Sequence, residues 1–275
     1  MGLWYNMNIL CGRREIHGGS RRELAWQILR SCPERHKKDA GFFNVGKQTH
    51  TGYARKNRFC PNKEVMKTDK RKDFDKEAAT WDQNPGRIKL ANDVADTIMR
   101  EIKLTGDMDV LDFGCGTGLV TLRLQPFVKT ITGADSSKGM LDVLQDKVSR
   151  FGLKNVEVQV VDLEMGGLVA GKFHAVVSSM TLHHIQDPAQ LFRKLRDFLH
   201  SGGTLCISDL DKEDGSFHSD KTGVLHFGFE RPYLKGLLEN AGFHEVRDVT
   251  AAAVTKDIEG TGEKTFTVFL IIGKK

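Results

Sequence analysis

The chain has 275 residues, 39% hydrophobic and 28% charged, with a formal net charge of +5 and a mean hydropathy of −0.36. That length buries a substantial core, and no uninterrupted apolar run is long enough for a helical membrane span. Residues 1–70 hold 15 Lys or Arg against 6 Asp or Glu, net +9, and residues 71–275 hold 26 against 30, net −4; a domain of that sign is a poor tracker of phosphates, which leaves nucleic acid only to the basic extension.

The five cysteines, Cys11, Cys32, Cys60, Cys115 and Cys206, form no Cys-x-x-Cys pair and are odd in number. A disulfide framework and a zinc finger are both disfavoured, and a reducing, cytoplasmic location is expected. In residues 1–70 only Leu24, Ala25, Ile28 and Leu29 suggest a helix face, and the composition predicts a poorly ordered extension. Cys11, His17, Cys32, His36, His50 and Cys60 show no metal-ligand spacing. The change in character near Met66 divides a basic extension, residues 1–70, from a working domain spanning 71–275; residues 1–65 are expected to be dispensable, the alternatives being a regulatory or RNA-binding arm or a folded cap.

Residues 74–81 read as a helix, and 87–102 as a longer one opened by Pro85-Gly86, with Ile88, Ala91, Val94, Ala95, Ile98 and Ile102 on one stripe. An apolar strand then stops at Asp112 and breaks into Gly114, Gly116 and Gly118 before a helix over 119–127. Strands over 130–135, 156–162, 173–179 and 204–210 alternate with helices over 136–151, 187–199 and 231–241. Ser136 or Ser137 caps the first of these helices, and Ser201-Gly202-Gly203 stops the second. Two β-like runs, 245–254 and 265–273, follow, joined by a polar loop over 256–264. The pattern predicts an α/β, doubly wound, Rossmann-like, mostly parallel sheet.

A strand that turns through glycines into a helix lets a nucleotide-type cofactor lie against bare backbone. The nicotinamide spacing wants Gly or Ala where this chain has Leu119, and a pyrophosphate would be repelled by Asp112. A cation would be attracted. These residues resemble the first motif of the class I S-adenosylmethionine-dependent methyltransferases. The resemblance continues through Thr130–Asp135, the strand ending at Asp162-Leu163, and Met180-Thr181-Leu182-His183-His184, and covers the chain from about Phe74 onward.

The resemblance implies S-adenosylmethionine as cofactor and a closing hairpin with one antiparallel strand. It assigns the ribose to Asp135, where an acid can accept from both hydroxyls, and the adenine to Asp162 and Leu163. Asp112, Gly114, Cys115, Gly116, Gly118, Ser136, Met140 and Ser178 complete the implied cofactor set, with Phe74 and Trp81 as lid candidates. Family patterns for base N-methylation, arginine methylation and arsenite methylation are missing; the loop reads Ser178-Ser179-Met180-Thr181. The resemblance therefore implies a small-molecule methyl acceptor of unread identity.

Methyl transfer from a sulfonium needs alignment above all, and a base only where the acceptor is protonated. His183 and His184 follow the fourth strand and are the candidate bases; the alternative is that one braces the loop. Residues 211–230 follow the fifth strand, and Phe217, His218, His226 and Phe227 are candidates for an acceptor pocket. No metal site is expected, because His218 and His226 lack a supporting ligand spacing. The competing classes are an NAD-dependent oxidoreductase and a non-catalytic cofactor-binding or RNA-associated protein.

Overall fold

The computed structural model describes residues 71–275. The expectations placed on residues 1–70 lie outside that range. Two short 3-10 turns, Phe74–Lys76 and Ala78–Gln83, lead into α1, Pro85–Glu101. The Asn84 side chain accepts from the Gly86 and Arg87 amides and starts this helix. The chain then alternates: β1 Asp109–Phe113, α2 Leu119–Leu124, β2 Thr130–Asp135, α3 Lys138–Arg150, β3 Val156–Val160 and β4 Phe173–Ser179. There follow α4 Pro188–Phe198, β5 Leu199–Leu210, α5 Arg231–Asn240, β6 His244–Ile258 and β7 Gly262–Lys274.

The seven strands lie in the order β3-β2-β1-β4-β5-β7-β6. All pairings from β3 through β5 are parallel, and β7 runs antiparallel to both β5 and β6. Strand alternation divides the core between the two faces. Leu111, Phe113, Val176, Leu205, Ile207, Phe269 and Ile271 pack with Leu191, Phe192 and Leu195 of α4 and Leu234 and Leu238 of α5. Leu141, Leu144 and Val148 of α3 close a separate cluster with Cys115, Val156 and Val158. No helix among the described residues is long and apolar enough to cross a membrane.

Three expectations about elements are corrected. Residues 74–81 form two 3-10 turns rather than one α-helix, because Asp75 and Asp82 reach away to Ser137 and Thr117. Ser201-Gly202-Gly203 does not end the helix, which stops at Phe198 with Leu199 already extended; it lies inside β5, where Gly202 N–H donates to the Lys275 carbonyl and Lys275 N–H donates to the Gly203 carbonyl. A pairing irregularity opposite Phe173–Ala175 absorbs the extra residues. The closing hairpin is longer than expected, and its turn shrinks to residues 259–261.

Candidate active site

Strands β1, β2 and β3 step one way across the sheet and β4 starts on the other side of β1, which makes the gap between β1 and β4 a topological switch point. Ligands of open α/β sheets bind outside the carboxyl ends of the strands at that point. A cavity of about 730 Å³ opens there, lined by the glycine turn, by Asp135 and Ser136, by Val161 to Glu164, and by Ser179 to Thr181.

The glycine turn is held by backbone. Gly114 N–H donates to the Ala134 carbonyl at 2.7 Å, and Gly116 N–H donates to Asp135 Oδ2 at 2.8 Å. Gly116 has φ +54°, and a Cβ there would find only Met140 Sδ, 4.0 Å away, so the position faces the open cavity. Gly118, φ +82°, serves packing instead: a Cβ there would collide with Leu144 of α3. Asp135 also accepts from the Ser137 amide with its second oxygen at 2.8 Å.

Asp112 is buried and accepts from Thr121 Oγ1 at 2.6 Å. Burial, with a further push from Asp135, raises its pKa to about 7 against the Thr121 hydrogen bond. Burial also raises Asp135, against its backbone hydrogen bonds. Two acids strained toward neutrality beside a glycine turn call for a cation. A backbone cradle that a side chain would fill, an uncompensated carboxylate and an acid at the end of β2 fit a cofactor with an ammonium, a sulfonium and a ribose.

One wall is formed by the segment before α1. Asp75 Oδ1 accepts from Ser137 Oγ and from Gly139 N–H at 2.8 Å, satisfying the start of α3. Asp82 accepts from Thr117 Oγ1 at 2.6 Å and pairs with Lys147. Phe74 sets its ring edge-on to Trp81 at 5.9 Å and to His184 at 5.1 Å. Arg87 lies over the Trp81 ring, 3.7 Å from its centroid.

Three imidazoles adjoin this wall. His183 is 2% exposed, and its Nδ1 lies 2.9 and 3.1 Å from the two oxygens of Asp209, which is 0% exposed. The His183 amide donates to the same carboxylate at 3.1 Å. These contacts hold Asp209 below the ordinary carboxylate range although burial opposes them. His184 donates from Nδ1 to the Gly223 carbonyl at 2.7 Å, and burial lowers its pKa to about 4. His218 lies 4.8 Å from His183 between ring centroids and is likewise lowered to about 4 by burial. Met180, at the end of β4, adopts φ +54°, a left-handed backbone uncommon for a long side chain.

The cavity brings together Trp81, Asp112, Gly114, Cys115, Gly116, Asp135, Ser136, Met140, Asp162, Leu163, His183, His184, Phe217 and His218. Four candidates fall outside it. Gly118 packs on Leu144, and Ser178 is buried within β4. His226 donates from Nε2 to the Ile185 carbonyl at 2.9 Å and packs on Phe229. Phe227 lies against Gly215, and its carbonyl accepts from the Glu213 amide. Asp209, Thr121, Arg87 and Lys256 escaped the reading of the sequence; an acid inside the apolar run 205–210 was the available signal for Asp209. Among the described residues no group of three or more His, Cys, Asp or Glu is disposed to hold a metal.

The fold and the glycine-turn cavity define a class I S-adenosylmethionine-dependent methyltransferase architecture. Residues 111–207 match the methyltransferase domain family, and the similar proteins and solved structures support a class I S-adenosylmethionine-dependent methyltransferase. An uncharacterized methyltransferase of Schizosaccharomyces pombe is 32% identical over 176 residues, covering 58% of this chain and 61% of that protein. A ubiquinone biosynthesis O-methyltransferase of Coxiella burnetii is 30% identical over 129 residues, covering 47% and 51%. The chain thus spans between half and two thirds of the length of these relatives. The fold is shared with phosphoethanolamine N-methyltransferase 2 of Haemonchus contortus, solved with S-adenosyl-L-methionine, at a TM-score of 0.55 and 15% identity, covering 74% of this chain and 60% of that one.

Proposed function

We propose that this protein methylates a small-molecule acceptor whose nucleophile gives up a proton, with His183 as the general base. When bound, S-adenosylmethionine supplies an activated methyl group on a sulfonium. The chain's own task is to hold the partners close and aligned and to receive the proton. Asp112 and the Gly114–Gly116 backbone would hold the amino acid end of the cofactor, Asp135 the ribose, and Asp162 and Leu163 the adenine. Trp81 and Phe74 form the wall that keeps water from the cavity.

The single observation that carries this reading is the buried His183–Asp209 pair at 2.9 Å beside the cavity. With Nδ1–H donated to the carboxylate, Nε2 keeps a lone pair for the acceptor proton. The ionised Asp209 then stabilises the imidazolium that forms. His184 is a poorer candidate, because a pKa near 4 makes it a weak base at neutral pH; its bond to Gly223 suits bracing the loop.

The test is release of S-adenosylhomocysteine with a panel of phenols, thiols, carboxylic acids and amines. His183→Gln is expected to lower kcat by about a hundredfold or more while leaving S-adenosylhomocysteine affinity unchanged. Full turnover in that variant, or no turnover of any acceptor by the wild-type protein, overturns the reading.

A further inference from the structure

Besides His183 and His184, the cavity is lined by Phe217, His218, Val254 and Lys256. Lys256 projects from β6, half-buried, with its ammonium 3.6 Å from the centroid of the Phe217 ring. One of its three N–H groups donates to the Phe217 carbonyl at 2.6 Å. Among the described residues it has no other hydrogen bond and no carboxylate within ion-pair distance. Glu213, the acid that acts on it from farther away, spends one oxygen on the Gly215 and Phe217 amides. A half-buried ammonium with two idle donors in a cavity is an expensive arrangement unless a ligand completes it.

Arg87 is the other cation facing this end, but it is stacked on Trp81 and lies 3.5 Å from Glu77. Arg71 and Lys72, which also line the cavity, pair with Asp162 and with Glu77 and Asp220; among the described cations lining it, Lys256 is the one without a carboxylate partner, and its single positive charge matches a monoanion. From His183 the pocket runs to His218 in 4.8 Å, on to Phe217 in 4.9 Å, and to Lys256 in 3.6 Å. A proton acceptor at one end, an aromatic floor and an ammonium at the other describe a small ring carrying a nucleophile and an anionic group.

We propose that Lys256 is the specificity-determining residue of the acceptor pocket and that the acceptor carries a carboxylate, held by Lys256 over Phe217 while its nucleophile lies at His183. Only the last clause rests on the proposed methyl transfer. Burial and the charge of Arg87 lower the pKa of Lys256, and a bound carboxylate relieves both effects.

The experiment measures binding, apart from turnover. Calorimetry on the protein saturated with S-adenosylhomocysteine compares 4-hydroxybenzoate and benzoate with methyl 4-hydroxybenzoate and benzyl alcohol. The carboxylates are expected to bind at least about tenfold more tightly than the neutral compounds. Lys256→Gln, which keeps a donor for the Phe217 carbonyl but loses the charge, is expected to abolish that preference without moving the melting temperature or the affinity for S-adenosylhomocysteine. Lys256→Arg is expected to keep most of it.

Equal binding of acids and neutral compounds, or no binding of the acids, overturns the proposal. A loss of S-adenosylhomocysteine affinity in Lys256→Gln also overturns it, since the lysine then serves the cofactor's own carboxylate. Carboxylate binding without methyl transfer would sink the proposed reaction alone; methyl transfer confined to neutral acceptors would sink this proposal alone.

Discussion

If Asp112 holds the cofactor's ammonium as proposed, binding is linked to protons with a definite sign. In the free protein its pKa stands at about 7, so at pH 6 roughly a tenth of it is ionised and at pH 7.5 roughly three quarters. A cofactor ammonium favours the ionised form and lowers the bound-state pKa. If that value falls well below 6, S-adenosylhomocysteine binds about eightfold more tightly at pH 7.5 than at pH 6, and binding at pH 6 releases close to one proton. Asp135, also raised by burial, acts in the same direction. Calorimetry in two buffers of different ionisation enthalpy measures the affinity and the proton count together. Above pH 7.5 the cofactor's own amino group begins to titrate, so the comparison stops there.

The same carboxyl bears on stability. Its folded pKa lies above the unfolded value of 3.8, so its contribution is most favourable at low pH and is lost as pH rises from about 4 through 7. Asp112→Asn is expected to raise the melting temperature of the cofactor-free protein at pH 8, with about 4 kcal/mol as the upper bound from three pKa units. The variant is expected to weaken S-adenosylhomocysteine binding and flatten its pH dependence. An affinity that does not change between pH 6 and 7.5, or an Asp112→Asn variant that keeps the full slope, refutes the reasoning.

Two further outcomes are expected. Asp135→Ala should weaken S-adenosylhomocysteine by at least about tenfold in calorimetry, since hydrogen bonds to a charged group are worth about 1.5 to 3 kcal/mol; an unchanged dissociation constant removes Asp135 from the ribose role. Gly116→Val should abolish binding yet keep the circular-dichroism spectrum, because the space for the new Cβ is open but for Met140 Sδ at 4.0 Å, while the φ of +54° strains the valine backbone and lowers the melting temperature; a lost spectrum would make Gly116 structural.

The strands legible in the sequence were those whose ends carry their own punctuation. The strand Thr130–Asp135 ends in an acid followed by two serines, and Phe173–Ser179 is a buried apolar run opened by an aromatic; both appear with the expected bounds. Where the controlling partner is distant in the chain, local signals misled. Ser201-Gly202-Gly203 reads as a helix stop, yet the helix ends earlier at Phe198 and Lys275 holds these residues in the sheet. Asp209 finds His183 across 26 residues with no motif joining them. His226 and Phe227 were plausible pocket residues by composition, yet the turns of residues 211–230 spend them on internal contacts.

The wall before α1 has a kinetic consequence. In its two 3-10 turns Ala78 is the only buried residue; the fastening is done by Asp75 at α3, by Asp82 at Thr117 and Lys147, and by Arg71 at Asp162. Beside the ring contacts of Phe74 and Trp81, its fastenings are charged side chains, and dissolved ions weaken such clasps. Release of bound S-adenosylhomocysteine is therefore expected to quicken as salt is added, which a displacement measurement at two ionic strengths checks.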